Sequence, residues 1–268
     1  MTKQTYAVLD PGTRKAEREG LCALAVMSKA PRPGKVKTRL SPPLTAQQAA
    51  DLNICFLRDT AENIASVARE GGAAGLVCYT PVGDEEAFDG LLPEGFALVP
   101  QRGDGFGERL YMAAKDILAC GFGSVCLIDS DSPTLPAGSL RAAVSALQRP
   151  GDRVVLGGSA DGGYYLIGLK QAHHAPFEHI AWSTSAVYEQ TVERARDAGL
   201  ELVSLPTWYD VDDAATLKML EAELLHGKLP LFATSEGYDA QATRAFLAER
   251  RDARTRTAPD ASIAELIP

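Results

Sequence analysis

Short apolar runs alternate with helical patterns along the chain from residue 21 onward. Strands are predicted at residues 21–27, 75–80, 96–100, 124–128, 153–157, 164–169 and 201–205. Helices are predicted at residues 45–69, 107–119, 136–147, 184–198 and 213–225. Alternation of this kind favours a mainly parallel sheet, because each helix carries the chain back to start the next strand. The sequence therefore predicts a three-layer, Rossmann-like α/β fold with helices on both faces of the sheet.

One stretch of the chain departs from this alternation. Residues 153–169 contain two strand-like runs around the sequence Ser-Ala-Asp-Gly-Gly, without a helix between them. A short connection joins antiparallel strands, so this stretch predicts an antiparallel excursion within the sheet. We further predict one domain over residues 21–225, an N-terminal extension over residues 1–20 and a C-terminal tail over residues 226–268.

Composition limits the classes of function that the chain can have. It has 268 residues with a net charge of −8, and an acidic balance disfavours binding to nucleic acid or to a membrane surface. No apolar run approaches the roughly 20 residues that a membrane-spanning helix needs. The polar first 20 residues lack the apolar stretch of a signal peptide. We therefore expect a cytoplasmic protein.

A basic loop follows the first predicted strand, at the edge of the sheet where open α/β folds bind ligands. It contains Lys29, Lys35, Lys37 and Arg39, and Gly34 would permit close approach of a ligand to the backbone. In an extended segment, the last three cationic side chains would point the same way. Arg and Lys bind phosphate oxygens well. The loop therefore predicts a phosphate site; the alternative is a solvated, mobile basic loop.

Two acidic residues follow the strand predicted at residues 124–128. Asp129 and Asp131 would emerge at the carboxyl edge of the sheet, where their mutual repulsion favours a bound cation. Mg²⁺ or Mn²⁺ is typically held by one or two carboxylates together with substrate phosphates. The alternative is helix initiation, with Ser132 as N-cap and Pro133 at the first helical position.

A third acidic segment precedes the helix predicted at residues 213–225. Asp212 would be a second metal carboxylate that arrives from another strand. The alternative is that Asp212 or Asp213 caps the helix that follows. The pairing with Asp131 and with the basic loop favours the metal hypothesis.

Two glycine-rich segments complete the candidate site. Asp161, Gly162, Gly163 and Tyr164 lie in the turn of the antiparallel excursion, and they fit either a simple hairpin turn or a loop that a ligand approaches. The second segment, residues 101–108, opens a helix whose free backbone N–H groups are available to a ligand. The chain has neither the GxGxxG spacing nor a GxxxxGK[ST] loop, which disfavours a dehydrogenase or an ordinary ATPase.

Taken together, these motifs resemble the nucleotide-diphospho-sugar transferase superfamily, which has the glycosyltransferase-A type fold. The motifs are K-x-P-x-P-G-x-V-K-T-R-L at residues 29–40, D-S-P at 131–133, D-G-G-Y-Y at 161–165 and D-V-D at 210–212. The resemblance covers about residues 21–225 and is strongest to the bacterial transferases described as radical-SAM/selenodomain-associated. It implies a catalytic domain of this type over residues 21–225.

The motifs also resemble, more distantly, those of phospholactate and molybdenum-cofactor guanylyltransferases and of sugar-phosphate uridylyltransferases. That resemblance implies that Asp131 and Asp212 bind Mg²⁺ (or Mn²⁺). It also implies a set of residues that bind the triphosphate or the base: Lys29, Gly34, Lys35, Lys37, Thr38, Arg39, Gln101, Gly105 and Gly107.

Two kinds of group transfer are consistent with these residues. The first hypothesis is nucleotidyl transfer from a nucleoside triphosphate to a phosphorylated small-molecule acceptor, with pyrophosphate release; Lys37 and Arg39 would be catalytic. The alternative is glycosyl transfer from a nucleotide sugar, in which Asp129 and Asp131 form a D-x-D element and Asp161 is the base. In that case Gly162, Gly163 and Tyr164 would shape the acceptor site. A non-catalytic nucleotide-binding protein is the third hypothesis, and a homodimer stays open.

Overall fold

The computed structural model describes residues 4–257. Eight strands form one sheet in the order β1-β4-β3-β2-β5-β7-β6-β8. Their bounds are β1 Ala7–Val8, β2 Cys22–Lys29, β3 Ala73–Thr80, β4 Ala97–Pro100, β5 Ser124–Ile128, β6 Arg153–Ser159, β7 Tyr164–Leu169 and β8 Glu201–Trp208. Strand β7 runs antiparallel to both β5 and β6, while the other pairings are parallel. The predicted mainly parallel sheet, with its antiparallel excursion at residues 153–169, is confirmed.

Helices cover both faces of this sheet. They are α1 Ala46–Ala68, α2 Phe106–Ala119, α3 Ala137–Gln148, α4 Val187–Asp197, α5 Ala214–His226 and α6 Gln241–Thr257. In β2, Leu24 and Val26 join a core with α1 and α3, whereas Ala23 and Ala25 join a second core with α2. Because alternate side chains of a strand point to opposite faces, these two cores lie on opposite sides of the sheet.

Parallel register brings the candidate site segments to one edge of the sheet. Val26 in β2 pairs with Ile128 in β5, so the basic loop and the Asp129 segment leave neighbouring strands side by side. Strand β8 is parallel to β6 and ends at Trp208, close to the turn that joins β6 to β7. The site is therefore assembled at the carboxyl ends of the parallel strands, as this class of sheet predicts.

The described parts of both chain ends pack against the central fold. Strand β1 adds to the sheet beside β4, and Leu247 of α6 is buried in the core with α1 and α5. Asp59 of α1 accepts hydrogen bonds from the backbone N–H groups of Ala242 (2.9 Å) and Thr243 (2.7 Å) at the start of α6. Residues 1–3 and 258–268 of the predicted extension and tail lie outside the described residues. Within residues 4–257, no helix is long and apolar enough to cross a membrane.

Replacing Asp59 tests how α6 is held. In Asp59→Ala, two backbone donors at the start of α6 lose their acceptor, so we expect the free energy of unfolding to fall by about 1–3 kcal/mol. Urea unfolding monitored by circular dichroism measures this change. Glu62→Ala, an exposed site on the same helix, is the control and should change stability by less than about 0.5 kcal/mol. Equal stability of the two variants would contradict the role given to Asp59.

Candidate active site

Lys37 joins the three segments that meet at the edge of the sheet. Its ammonium lies 2.7 Å from Asp131 Oδ1 and 3.2 Å from Asp212 Oδ1, and it donates to the backbone carbonyl of Val211 at 2.7 Å. The Lys37 side chain is only 4% exposed. Asp131 and Asp212, the two predicted metal ligands from separate strands, are thus brought together around one positive charge.

The basic loop does not have the extended conformation that the alternating cations predicted. Lys37 has a left-handed backbone (φ 48°) and residues Thr38–Leu40 form a 3-10 turn. As a result the Lys37 side chain turns inward, whereas Lys35 is exposed and the Arg39 side chain is 72% exposed. The expectation that Lys35, Lys37 and Arg39 point the same way is therefore wrong. The buried side chains of Val36 and Leu40 anchor the loop on either side of Lys37.

Further contacts fix the two acidic segments relative to each other. Val211 N–H donates to the Asp131 carbonyl at 2.9 Å, and the Arg39 guanidinium bonds to Asp212 Oδ2. Burial raises the pKa of Asp212, and the neighbouring Lys37 opposes that rise. The adjacent Asp213 instead caps α5 by accepting from the N–H groups of that helix's first turn. Asp213 therefore has the capping role that the sequence offered as an alternative, and the side chain of Asp212 faces the candidate site.

Asp129 and Asp210 extend the acidic cluster. Ser132 Oγ donates to Asp129 Oδ2 at 2.8 Å, and Ser159 Oγ donates to Asp210 Oδ1 at 2.7 Å. Burial, and next the charge of Asp131, raises the pKa of Asp129 well above its usual range. Burial also raises the pKa of Asp210.

Ser132 does not begin a helix, because α3 starts at Ala137; the helix-initiation alternative for Ser132 and Pro133 is wrong. Sequence reasoning also missed Asp210. Its signal was present in the D-V-D motif, because two residues of spacing in an extended segment place Asp210 and Asp212 on the same side.

A basic pocket of about 330 Å³ lies on one side of the Asp131–Asp212 pair. Its polar lining includes Ser28, Lys29, Lys35, Lys37, Thr38, Arg39, Asn53, Thr80, Gln101 and Arg109. Gln101 Nε2 donates to the Cys78 carbonyl at 2.7 Å, which fixes the orientation of this amide. The predicted cationic residues and Thr38 are thus gathered around one pocket. Gly34 is not among the described residues that line it, and a turn with φ 70° accounts for that glycine.

An acidic pocket of about 390 Å³ lies on the other side and shares Asp131 and Asp212 with the basic pocket. Its carboxylates are Asp129, Asp131, Asp161, Asp210 and Asp212, and its aromatic residues include Phe106, Tyr164 and Trp182. The Trp182 ring meets Phe106 edge-on at 5.0 Å between centroids. The Tyr164 hydroxyl is buried and has no hydrogen-bond partner among the described residues, and burial raises its pKa.

The predicted glycine positions have different structural reasons. A Cβ on Gly107 would lie 2.7 Å from Trp182 Nε1, so this glycine makes room for Trp182. Gly107 lines neither the basic nor the acidic pocket, and its predicted contact with a nucleotide stays a prediction. Gly105 is the exposed residue that precedes α2. Gly162 has a left-handed φ of 93° in the β6–β7 turn, and Gly163, which lines the acidic pocket, donates its N–H to Asp161 Oδ1 at 2.8 Å. That hairpin turn therefore also forms a wall of the pocket.

The carboxylates fit a divalent cation whose coordination is completed by substrate. Among residues 4–257, no group of three or more His, Cys, Asp or Glu side chains is arranged to hold a metal ion by itself. Asp131 and Asp212 nevertheless converge on the Lys37 ammonium, which stands where a cation is required. Two carboxylates with substrate phosphates are the donors that Mg²⁺ typically uses.

Comparisons with known proteins agree with this architecture. A family profile described as "Uncharacterized protein conserved in bacteria (DUF2064)" matches residues 63–184. The crystal structure of a protein from Desulfovibrio desulfuricans G20, assigned as a nucleotide-diphospho-sugar transferase, is 31% identical. It covers 89% of this chain and 99% of its own, with a TM-score of 0.72. The chain belongs to the nucleotide-diphospho-sugar transferase superfamily.

A more distant structure has the same superfamily fold. CMP:2-keto-3-deoxy-manno-octonic acid synthetase, in complex with CTP, covers 78% of this chain and 100% of its own at 12% identity, with a TM-score of 0.50. At this identity the likeness concerns the fold alone. No protein of curated function matches the chain in sequence.

A buried hydrogen-bond network, whose residues line neither pocket, lies next to both acidic segments. The Glu223 carboxylate of α5 accepts from the Tyr209 hydroxyl and from Thr134 Oγ1 (3.0 Å), and Trp208 Nε1 donates to the same Thr134 oxygen at 3.3 Å. Thr134 follows the Asp131 segment, and Tyr209 precedes the Asp212 segment. Burial raises the pKa of Glu223, although its hydrogen bonds oppose the rise.

Replacing Glu223 separates its charge from its hydrogen bonds. Glu223→Gln keeps an acceptor oxygen, whereas Glu223→Ala leaves two buried hydroxyls without their acceptor and should cost about 2–4 kcal/mol of stability. Because the folded-state pKa is raised, wild-type stability falls as pH rises from the unfolded pKa of about 4.3 through the folded value. Glu223→Gln lacks this fall, so its stability relative to wild type should increase from pH 4 toward neutral. Urea unfolding across this range with EDTA present measures it, and a difference that is constant with pH would contradict the assignment.

Proposed function

We propose that the protein is a metal-dependent transferase that takes its donor from a nucleotide and carries out nucleotidyl transfer. The observation that carries the proposal is the pair Asp131 and Asp212 at the boundary between a basic and an acidic pocket. The donor phosphates would lie in the basic pocket and the acceptor in the acidic pocket. The reacting groups would then meet beside the shared carboxylates, where proximity alone accelerates transfer.

The chain's own residues would bind and orient the phosphates. Lys29, Lys35 and Arg109 line the basic pocket, and the structure records no carboxylate within ion-pairing distance of these three described side chains. They are therefore available to neutralise a polyphosphate. A Mg²⁺ or Mn²⁺ held by Asp131 and Asp212 would stabilise negative charge on the phosphates by Lewis-acid chemistry. The CTP complex of a synthetase with this fold supports a nucleoside triphosphate as donor.

The charge of the acidic pocket changes the acceptor that we propose. The sequence favoured a phosphorylated acceptor, but Arg39 is the one Lys or Arg among the described residues that line this pocket, beside five carboxylates. A phosphate placed there would be repelled. Carboxylates and aromatic rings suit an uncharged acceptor, which donates its hydroxyls to the acids and packs its carbon surface on the rings. We therefore propose a hydroxyl group as nucleophile.

Glycosyl transfer from a nucleotide sugar is the second candidate, and the same acidic pocket favours it. A donor sugar bound there would lie beside Asp129 and Asp131, the proposed D-x-D pair. Asp161, oriented by the Gly163 N–H, would be the base that accepts the proton of the attacking hydroxyl. The two candidates release different products, pyrophosphate or a nucleoside diphosphate.

Asp131→Ala tests the proposed metal site. We expect transfer activity to fall at least roughly 10²–10³-fold, because charge stabilisation at the phosphates is lost. The assay incubates the protein with Mg²⁺ or Mn²⁺, panels of nucleoside triphosphates and nucleotide sugars, and neutral polyols as acceptors. Pyrophosphate release supports nucleotidyl transfer, and nucleoside diphosphate release supports glycosyl transfer.

Asp213→Asn is the matched control for that experiment. It removes a carboxylate next to Asp212 but preserves the helix cap, because Asn is also a good N-cap. Its activity should stay near wild type. Full activity in Asp131→Ala, with the fold verified by circular dichroism, would refute the proposed site.

The neighbouring Tyr164 and Tyr165 allow a sharp test of the acceptor pocket. The Tyr164 hydroxyl has no hydrogen-bond partner in the described part of the chain, whereas the Tyr165 hydroxyl donates to the Pro206 carbonyl at 2.7 Å. Tyr164→Phe should leave stability unchanged or slightly higher, while Tyr165→Phe should lose about 1 kcal/mol. If the acceptor bonds to Tyr164, its KM should rise about tenfold in Tyr164→Phe, with the nucleotide KM unchanged. An unchanged acceptor KM would exclude Tyr164 from acceptor binding.

A further inference from the structure

Lys37 is the most completely paired cation of the basic pocket. Its ammonium has three oxygen partners, from Asp131, Asp212 and Val211, and it also lies 5.3 Å from the centre of the Phe56 ring. Lys35 in the same loop is exposed. Lys37 is therefore engaged with the protein itself, whereas the sequence predicted a catalytic residue that binds the triphosphate.

The oxygens that a metal would need are already occupied by cations. Asp212 Oδ1 contacts Lys37 and Asp212 Oδ2 contacts Arg39, so neither oxygen of this carboxylate is without a cationic partner. Asp131 Oδ1 contacts the same ammonium. A divalent ion placed on Asp131 and Asp212 next to the Lys37 ammonium would be repelled by it at short range. A metal bound to Asp212 would therefore compete with these two basic side chains for the carboxylate oxygens.

We propose that Lys37 is a resident counter-ion, which a divalent cation displaces from Asp131 and Asp212. In the metal-free protein, the ammonium neutralises two carboxylates that would otherwise repel each other. In the metal-bound protein, the same ammonium would no longer be paired with these carboxylates, and its positive charge would become available in the basic pocket, which it already lines. The inference rests on the proposed function, in which these carboxylates are the metal ligands.

The basic pocket also contains a hydrogen-bond acceptor that could receive the displaced ammonium of Lys37. Asn53 lines the basic pocket and is 4% exposed, and its buried Oδ1 atom has no hydrogen-bond partner within residues 4–257. It lies on α1 three residues before Phe56, hence on the same helix face as the ring beside the Lys37 ammonium. Because displacement frees a cation in the basic pocket, divalent metal and phosphate should each strengthen the binding of the other.

Metal affinity without nucleotide tests the displacement. Mn²⁺ binding is measured by electron paramagnetic resonance of free Mn²⁺ for wild type, Lys37→Met, Arg39→Met and Lys35→Met. Lys37→Met removes the competitor and should bind Mn²⁺ about tenfold more tightly, a gain of about 1.4 kcal/mol. Lys35→Met makes the same charge change at an exposed position and should differ from wild type by less than about twofold. A gain in Arg39→Met without one in Lys37→Met would overturn the proposal, because Arg39 would then be the displaced cation.

NMR signals of the lysine ammonium groups give a second readout. It uses the wild-type protein, so it does not depend on whether a variant folds. In ¹H–¹⁵N spectra selective for lysine side chains, a buried and paired ammonium exchanges its protons slowly and gives a visible signal. The Lys37 signal should shift or disappear as Mg²⁺ saturates the site, while the other lysine signals stay in place. A Lys37 signal that is unchanged at saturating Mg²⁺ would overturn the displacement.

The Mn²⁺ measurements separate a failure of the Lys37 displacement from a failure of the metal-dependent function. If wild type binds Mn²⁺ and Lys37→Met binds it with equal or lower affinity, the displacement is wrong and the metal site stands. If neither wild type nor Lys37→Met binds Mn²⁺ without nucleotide, the displacement is wrong. If neither binds Mn²⁺ in the presence of a nucleoside triphosphate, the metal-dependent function is wrong as well.

Discussion

The candidate site depends on one partly desolvated ion cluster, in which Lys37 lies between Asp131 and Asp212. Such a cluster is weak evidence for stability, because removing charges from water offsets much of their attraction. The cluster matters more for the positions of the loops than for the free energy of folding. Removing one member leaves an uncompensated charge, so the three residues together help to hold the loops that carry them in place. The left-handed backbone of Lys37 costs about 1–3 kcal/mol, which the inward side-chain contacts offset.

The cluster can form because the sheet delivers its loops to one place. The basic loop follows β2, the Asp131 segment follows the adjacent β5, and β8 brings the third segment to the same edge. The Glu223 network then ties the last two segments together from the buried side. Precision at the site is therefore set by backbone register and by a buried carboxylate that lines neither pocket.

Much of this arrangement could be predicted, because strand periodicity and the rule for parallel sheets act over short stretches of sequence. They identified the sheet, its antiparallel excursion and the segments of the site. The inward turn of Lys37 could not be predicted in this way, because it depends on carboxylates about 94 and 175 residues further along the chain. The packing role of Gly107 could not be predicted for a similar reason, since only the folded chain brings Trp182 against it. Strand β1, with two residues, is too short to show a pattern.

Basic side chains lie on one side of Asp131 and Asp212 and acidic side chains on the other, and this separation bears on where each substrate binds. Asp129, Asp161 and Asp210 each accept a local hydrogen bond on the side of the acidic pocket, yet among the described residues none of them has a Lys or Arg partner within ion-pairing distance. Keeping such acids together is unfavourable unless a proton, a cation or a hydrogen-bond donor offsets their repulsion. Hydroxyl groups donate and phosphates do not. The acids would thus select an uncharged acceptor and, in the same way, keep the nucleotide phosphates on the basic side.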